Sequence, residues 1–275
     1  MTPRILSPVT LATARLAAAG VPSPRYDAEV LAAYLLGVDR TRLVSVDRAL
    51  DATRYDDLIR RRAARVPLQH LTGTAYFRHL TLAVGPGVFV PRPETELLVD
   101  LALTGSEPGA TVVDLCAGSG AIAIAVATER PDCRVHAVEL DPAAAGWLTR
   151  NVQELAPAVT VHVTAAADVP AGLAGTADVV VSNPPYLPVG SPVDPEVGGH
   201  DPAIALWGGP DGLEVLVQVL AAARGWLRPG GRVALEHDVS HQPRLLDLLH
   251  DSGFREVAGH RDLAGRERFV TGFLP

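Results

Sequence analysis

An α/β fold is what this 275-residue sequence predicts: a mostly parallel sheet with an antiparallel edge, covered by helices, with a small helical bundle ahead of it. Three observations predict it. From about residue 93 onward, short apolar runs alternate with helical stretches, as in strands joined by crossover helices. One of those runs, Thr111–Leu115, ends in a glycine turn, Gly118-Ser119-Gly120, that opens a helix. The first segment, by contrast, is patterned as short amphipathic helices.

In that first segment a helix is expected from about Thr10 to Ala19. Ser23-Pro24 places a capping residue before a proline at the first helical position, and Gly37 is a stop. Between them Tyr26, Val30, Leu31, Tyr34 and Leu35 share one face. A further helix runs from Asp51 to about Arg65 and ends before Pro67. Three such helices make a bundle and not an enzyme core. Residues 68–90 change to β-type runs (Tyr76-Phe77, Leu80, Leu82, Val84, Val88-Phe89-Val90) divided by Gly73, Gly85 and Gly87, which reads as a connecting hairpin. The expected domains are therefore 1–72, helical; 73–92, a β-hairpin linker; and 93–275, the α/β module.

Within that module helices are expected at Glu94–Leu103, Ala121–Glu129, Pro142–Glu154, Leu213–Leu227 and Pro243–Ser252. Strands are expected at Thr111–Leu115, Arg134–Val138, Val159–Val163, Asp178–Ser182 and Arg232–His237. Phe254–His260 and Arg268–Phe273, close together at the end, supply the antiparallel edge. The Pro- and Gly-rich stretch from Pro184 to Gly212 is too long for an ordinary connection and reads as a functional loop.

Composition narrows the classes. Hydrophobic residues make up 48% and charged residues 20%, which supports a sizeable core and excludes global disorder. Cys116 and Cys133 have no paired spacing, so neither a disulfide framework nor a structural metal site is expected, in keeping with a reducing, cytoplasmic setting. Arg15 interrupts the apolar run Leu11–Ala19, so no signal peptide is expected, and no apolar stretch is long enough to span a membrane. The net charge of −7 is uneven: residues 1–80 carry 12 Arg against 7 acids, and residues 81–275 carry 12 Arg against 24 acids. A basic first segment on an acidic body suggests two modules with different partners and argues against a general nucleic-acid binder. Taken alone, the run Arg60-Arg61-Arg62 reads as a solvated helix face.

The glycine turn carries the first piece of chemistry. Gly118 and Gly120 let backbone approach a ligand where a Cβ would collide. Glu139 ends the next strand about 20 residues on, where a carboxylate can accept from both ribose hydroxyls of an adenosine. Turn and acid alone leave a nicotinamide or flavin dinucleotide open. Asp114, inside the turn, stands where the amino group of a methionine moiety needs an anion, which favours S-adenosylmethionine. Asp168, after the third strand, or its neighbour Val169, is a candidate for the adenine side; a capping or solvated Asp is the plainer reading.

The second piece is Asn183-Pro184-Pro185-Tyr186, which leaves the carboxyl end of an apolar strand. Ligands of open α/β sheets bind at that end. An amide or exocyclic amine nitrogen is a poor nucleophile because its lone pair is delocalised. To accept a methyl group it must be held with its N–H bonds aimed at acceptors. The Asn183 side-chain oxygen and the Pro184 carbonyl are two such acceptors. Both prolines hold φ near −65° and stiffen the carbonyl, and Tyr186 can pack its ring on the planar acceptor. Holding nitrogen, methyl and sulfur in line then supplies much of the rate.

These motifs, with others in order along the chain, resemble the HemK/PrmC family of release factor glutamine methyltransferases. The matching stretches are Phe89-Val90-Pro91-Arg92-Pro93-Glu94-Thr95-Glu96, Asp114 to Gly120, Val181 to Tyr186, Asp201 to Leu206, Gly208 to Leu213, and Leu235-Glu236-His237. The resemblance implies a Rossmann-like methyltransferase domain behind a helical substrate-recognition domain. It implies S-adenosylmethionine as donor, S-adenosylhomocysteine as product, and the glutamine of the release-factor Gly-Gly-Gln motif as acceptor. It places the donor at Asp114, Cys116, Ala117, Gly118, Ser119, Gly120, Glu139, Asp168, Val169 and Asn183. The substrate falls at Asn183, Pro184, Pro185 and Tyr186, with Arg92 and Glu94 beside them, and Asn183, Pro184 and Tyr186 carry the catalysis. By the same resemblance the basic residues 60–65 help hold the release factor. Two departures stand out: Cys116-Ala117 where many members carry Gly-Thr, and Val169 where an aromatic is frequent. The protein is expected to act as a monomer, with no metal, no membrane and no stable nucleic-acid partner. An adenine-N6 methyltransferase, which would stack a flipped base on Tyr186, a ribosomal-protein glutamine methyltransferase and a non-catalytic cofactor-binding regulator are the competing readings. The Pro91–Glu96 match and the acidic body weigh against the base methylase.

Overall fold

In the computed structural model, which describes residues 6–275 (Leu6 by its backbone alone), the chain divides into two units. The described residues up to Thr74 and the segment Val193–His200 form one; Ala75–Pro192 and Asp201–Pro275 form the other.

The first unit is a helical bundle of α1 (Leu6–Ala18), α2 (Pro24–Leu36), α3 (Ala52–Ala63) and the short α4 (Leu68–Thr72). Its ends follow local chemistry. Pro24 starts α2, and Gly37, at φ +64°, lets its backbone N–H return to Ala33 and Tyr34 carbonyls. The Asp51 carboxylate accepts from Arg54 N at the head of α3. Leu16, Ala28, Leu31 and Ala32 are fully buried between the helices, and the Tyr55 hydroxyl donates to the Ala28 carbonyl at 2.9 Å.

Arg62 departs from the solvated face expected of its run. Successive helical residues point about 100° apart, so Arg60 and Arg61 are exposed while Arg62 turns inward and is buried. Its Nε donates to Asp27 and its Nη2 to Glu196, both at 2.7 Å. Burial raises the Asp27 pKa, and Arg62 opposes that shift. Arg65 adds Asp194 at 2.8 Å. The segment Val193–His200, which contains α8 (Pro195–His200), is thus held on the bundle by its own acids.

The second unit begins with a two-stranded hairpin, β1 (Thr74–Phe77) and β2 (Leu80–Ala83). There follow α5 (Glu96–Leu103), β3 (Thr111–Leu115), α6 (Ala121–Glu129), β4 (Arg134–Glu139), α7 (Pro142–Leu155), β5 (Thr160–Val163) and β6 (Ala177–Ser182). The chain closes with α9 (Glu214–Trp226), β7 (Leu227–Glu236), α10 (Gln242–Asp251), β8 (Arg255–Arg261) and β9 (Glu267–Phe273). The seven-stranded sheet runs β5-β4-β3-β6-β7-β9-β8. The first five are parallel, and β9 pairs antiparallel with both β7 and β8, the edge that the two closely spaced final runs suggested.

Alternation along each strand splits the core into two layers. Val112, Val135 and Val179 pack with α5, α6, α7 and the hairpin. Val113, Val180 and Val233 pack with α9 and α10 around the fully buried Trp226. Both faces are covered, which is why β3 and β6 are apolar along nearly their whole length. Several boundaries differ from expectation: α1 starts at Leu6 and not near Thr10, Leu68–Thr72 is a short helix ahead of the β-type runs, and Val88-Phe89-Val90 lies outside any strand. A 3-10 turn over Pro93–Thr95 precedes α5, which starts only at Glu96. β7 starts at Leu227, because Ala177↔Leu227 and Val179↔Arg232 both pair across a register shift that absorbs the Pro-Gly-Gly segment. Strand order reverses between β3 and β6, the place where open α/β sheets leave a crevice for ligands.

Candidate active site

Two turns leave the sheet side by side at that reversal. Leu115 of β3 is paired with Ser182 of β6, so Cys116 and Asn183 are the next residues on neighbouring strands.

The glycine turn uses positive φ at Cys116 (+61°), Gly118 (+56°) and Gly120 (+87°). The two glycines are required for different reasons. A Cβ on Gly118 would meet nothing within 4 Å, so its face is open to a ligand. A Cβ on Gly120 would lie 2.7 Å from Leu148 Cδ1 and 3.0 Å from Ile124 Cδ1, so that glycine permits close helix packing. Asp114 is fully buried; its Oδ2 accepts from Ala123 N at 3.1 Å, and its Oδ1 has no hydrogen-bond partner. Burial pushes its pKa up to about 8. Glu139 accepts from Gly118 N and Asp141 N, each at 2.8 Å, and burial raises its pKa. Its carboxylate therefore shapes the turn, and each oxygen keeps a further lone pair. Ala117 and Ser119 are buried. Burial also pushes the Cys116 thiol up to about 12, away from the range of a nucleophilic thiolate.

Asn151 of α7, which nothing in the sequence singled out, holds the turn from behind. Its side chain exchanges two hydrogen bonds with Ala83, at 2.8 and 2.9 Å, and donates to the Ser119 carbonyl at 2.9 Å. On the adenine side, Asp168 is exposed and accepts from Thr164 Oγ1 at 3.1 Å, whereas Val169 packs against the layer that contains Trp226. The Trp226 indole fixes this loop by donating to Ala166 O at 2.9 Å.

On the other strand, Asn183 Nδ2 donates to Thr95 Oγ1 at 3.1 Å, and Pro184 is buried. The Tyr186 hydroxyl donates to Glu236 Oε1 at 3.2 Å. Burial and the adjacent Glu236 hold the Tyr186 proton above the ordinary phenol range. Glu236 is 2% exposed, and burial pushes its pKa up to about 7, against the opposing influence of Thr95 and Arg268. The segment Gly208–Leu213 folds back onto the motif: Leu187 N donates to Leu206 O at 2.9 Å and Gly208 N to Leu187 O at 2.8 Å. A Cβ on Gly208 would lie 2.8 Å from the Pro185 carbonyl, and one on Gly212 would strike the Tyr186 carbonyl. Those glycines let one irregular strand lie flat on another.

Arg92 and Glu94 are both ion-paired, Arg92 to the buried Asp201 carboxylate at 2.8 Å and Glu94 to Arg266 at 2.9 Å. Arg92 also stacks over Phe89 at 4.8 Å. Thr95 and Glu236 lay inside motif stretches, but their partners come from elements far apart in sequence, so no local pattern named their role. Among the described residues no cluster of His, Cys, Asp or Glu could hold a metal ion, and no helix is long and apolar enough to cross a membrane.

Residues 9–73 match the family described as PrmC N-terminal domain, and residues 80–195 the one described as Methyltransferase small domain. A Mycolicibacterium smegmatis protein named Release factor glutamine methyltransferase is 50% identical over 274 residues, 98% of this chain and 97% of that one. Proteins of the same name from Streptomyces coelicolor (48% over 276 residues, 97% of each chain) and Deinococcus radiodurans (41% over 273 residues, 95% of each) are also similar. Among solved structures, a methyltransferase from Pyrococcus furiosus superposes with a TM-score of 0.52 at 22% identity, over 71% of this chain and 89% of that one, a likeness of fold.

Proposed function

The chain belongs to the release factor glutamine methyltransferase family, and on that premise we propose how it methylates the side-chain nitrogen (N5) of the glutamine in the Gly-Gly-Gln motif of peptide chain release factors. The donor is S-adenosylmethionine, which supplies an electrophilic methyl on a sulfonium and leaves as S-adenosylhomocysteine. The residues suit that donor. Asp114 Oδ1 is a buried acceptor with no partner, matched to an ammonium group. Gly118 presents a face with no atom where its Cβ would stand. Cys116, Ala117, Ser119, Gly120, Glu139, Asp168 and Val169 line the same turn and the ribose and adenine side.

On the substrate side Asn183 Oδ1 and the Pro184 carbonyl accept the two N–H bonds of the glutamine amide, Pro185 stiffens the turn, and the Tyr186 ring packs on the amide plane. With the donor bound, the clamp would aim the nitrogen lone pair at the methyl that the sulfonium supplies, the sulfur keeping the bonding pair as the new bond forms. The nitrogen then releases one proton to solvent, so no strong base is needed beforehand. Arg92 and Glu94, whose side chains are 37% and 38% exposed, offer their free portions to the polypeptide around the glutamine. Residues 1–72 recruit the release factor, the 73–92 hairpin links, and residues 93–275 perform the transfer. The protein acts as a cytoplasmic monomer without stable nucleic-acid binding.

The observation that carries this reading is the adjacency of Cys116 and Asn183 on paired strands, which brings a donor turn and an amide clamp to one crevice. The test is methyl transfer from labelled S-adenosylmethionine to release factor, ribosomal protein and DNA in parallel, read by intact mass. Label on the release-factor Gly-Gly-Gln glutamine is expected. Label confined to ribosomal protein or nucleic acid overturns the proposal.

A further inference from the structure

The asparagine of the clamp has a chemical ambiguity that the surrounding residues resolve. A carboxamide has one end that only accepts hydrogen bonds and one that only donates, and the two ends have nearly the same shape. With its oxygen toward the crevice, Asn183 accepts from an incoming N–H. Turned over, it would offer an NH₂ group and would suit a carboxylate instead.

Two hydrogen bonds and the influence of Thr95 on Glu236 set the orientation. Asn183 Nδ2 lies 3.1 Å from Thr95 Oγ1. Thr95 acts on the Glu236 carboxyl and favours its charged form. Glu236 Oε1 takes the Tyr186 hydroxyl at 3.2 Å, and Oε2 is buried with no partner of good hydrogen-bond geometry, so the carboxyl has an unused demand for a donor. In the charged form that Thr95, Arg268 and Tyr186 favour, the Glu236 carboxylate accepts only. The Thr95 proton therefore turns toward Glu236, which leaves only lone pairs on Thr95 Oγ1 for Asn183. Only the NH₂ end of Asn183 can face them. Thr95 is 4% exposed and Glu236 2%, so water does not compete for these bonds. Glu236 thus reaches both halves of the clamp, Tyr186 directly and Asn183 through Thr95. Arg268 and Glu94 are the other charged groups that act on it.

We propose that Thr95 and Glu236 are positioning residues that lock Asn183 with its oxygen outward, so that the site takes a carboxamide and rejects the isosteric carboxylate. This inference rests on the glutamine reading above. Its energetic basis is that a buried acceptor facing a carboxylate leaves both unpaired, a mismatch that sites built on hydrogen bonds reject strongly.

The test uses the full-length enzyme, S-adenosylmethionine, and release factor carrying either Gln or Glu at the Gly-Gly-Gln position, the Glu form serving as a competitive inhibitor. Wild type should methylate the Gln form and be inhibited only weakly by the Glu form. Thr95→Val should lower kcat about tenfold or more, leave donor affinity within a few-fold, and make the Glu form a markedly better inhibitor. Thr95→Ser should restore both properties. Glu236→Gln, which keeps the shape, should act in the same direction, and the Thr95→Val/Glu236→Gln double variant should be little worse than the poorer single variant, because both break one chain. If Thr95→Val fails to bind donor, Glu236→Gln alone carries the test. Unchanged Gln-over-Glu discrimination in variants that bind donor overturns the inference. Absence of Gln methylation by wild type would instead overturn the functional reading.

Discussion

The two turns at the centre of the crevice solve opposite problems with neighbouring strands. After β3 the chain is opened: Gly118 carries no side chain, and the space where its Cβ would stand is free. After β6 it is stiffened: two prolines restrict φ, and the residues beside them are tied to Thr95, Glu236 and the folded-back Gly208–Leu213 segment. A donor that is bound along its length needs room and backbone N–H groups. An acceptor nitrogen that must be aimed needs fixed carbonyl oxygens. On the proposed reading, the difference assigns binding and aiming to separate loops, which a substitution can damage one at a time.

The strongest way to break that division is Asn183→Ala. It removes one of two aimed acceptors, so kcat should fall on the order of 10²- to 10³-fold, the range seen when one oriented polar group is lost from a transition-state site. Donor affinity, measured by calorimetric titration, should change by only a few-fold; a parallel loss of both would mean the two turns are not separable.

Glu139→Ala attacks the other side. It removes a charged acceptor from Gly118 N and Asp141 N, and hydrogen bonds to charged groups contribute about 1.5–3 kcal/mol each. Donor affinity should drop on the order of tenfold to a hundredfold, while kcat at saturating donor stays near wild type. Unaltered affinity would remove Glu139 from the donor site.

The smallest effect sharpens the comparison. Cys116 holds φ +61° with a Cβ present, and a left-handed backbone costs an L-residue about 1–2 kcal/mol. Cys116→Gly should relieve that strain, offset in part by the greater freedom of glycine in the unfolded chain. A thermal midpoint raised by a few degrees is expected; a lowered midpoint would mean that the half-buried thiol contributes more packing than its backbone costs.

Much of this was legible in the chain itself. Alternation of apolar strands with helices gave the sheet and its antiparallel edge, because buried parallel strands must be apolar and two strands joined closely must run antiparallel. Pro24, Gly37 and Asp51 marked helix ends through purely local chemistry. The glycine turn and Asn183-Pro184-Pro185-Tyr186 were readable because each is contiguous. Arg62 was not: its run looks like a solvated face, and only the packing of α3 turns one guanidinium of three toward Asp27 and Glu196.

The residue types proposed to meet donor and acceptor were thus determined by sequence, since motif chemistry resides in short stretches whose backbone the glycines and prolines constrain. What only the tertiary structure decided is which of those groups are aimed, and by what. Thr95, Asn151 and Glu236 come from 88, 32 and 50 residues away from the atoms they hold in Asn183, Ser119 and Tyr186. No spacing rule reaches so far, because hydrogen bonds between separate elements exist only once the sheet has brought those elements together.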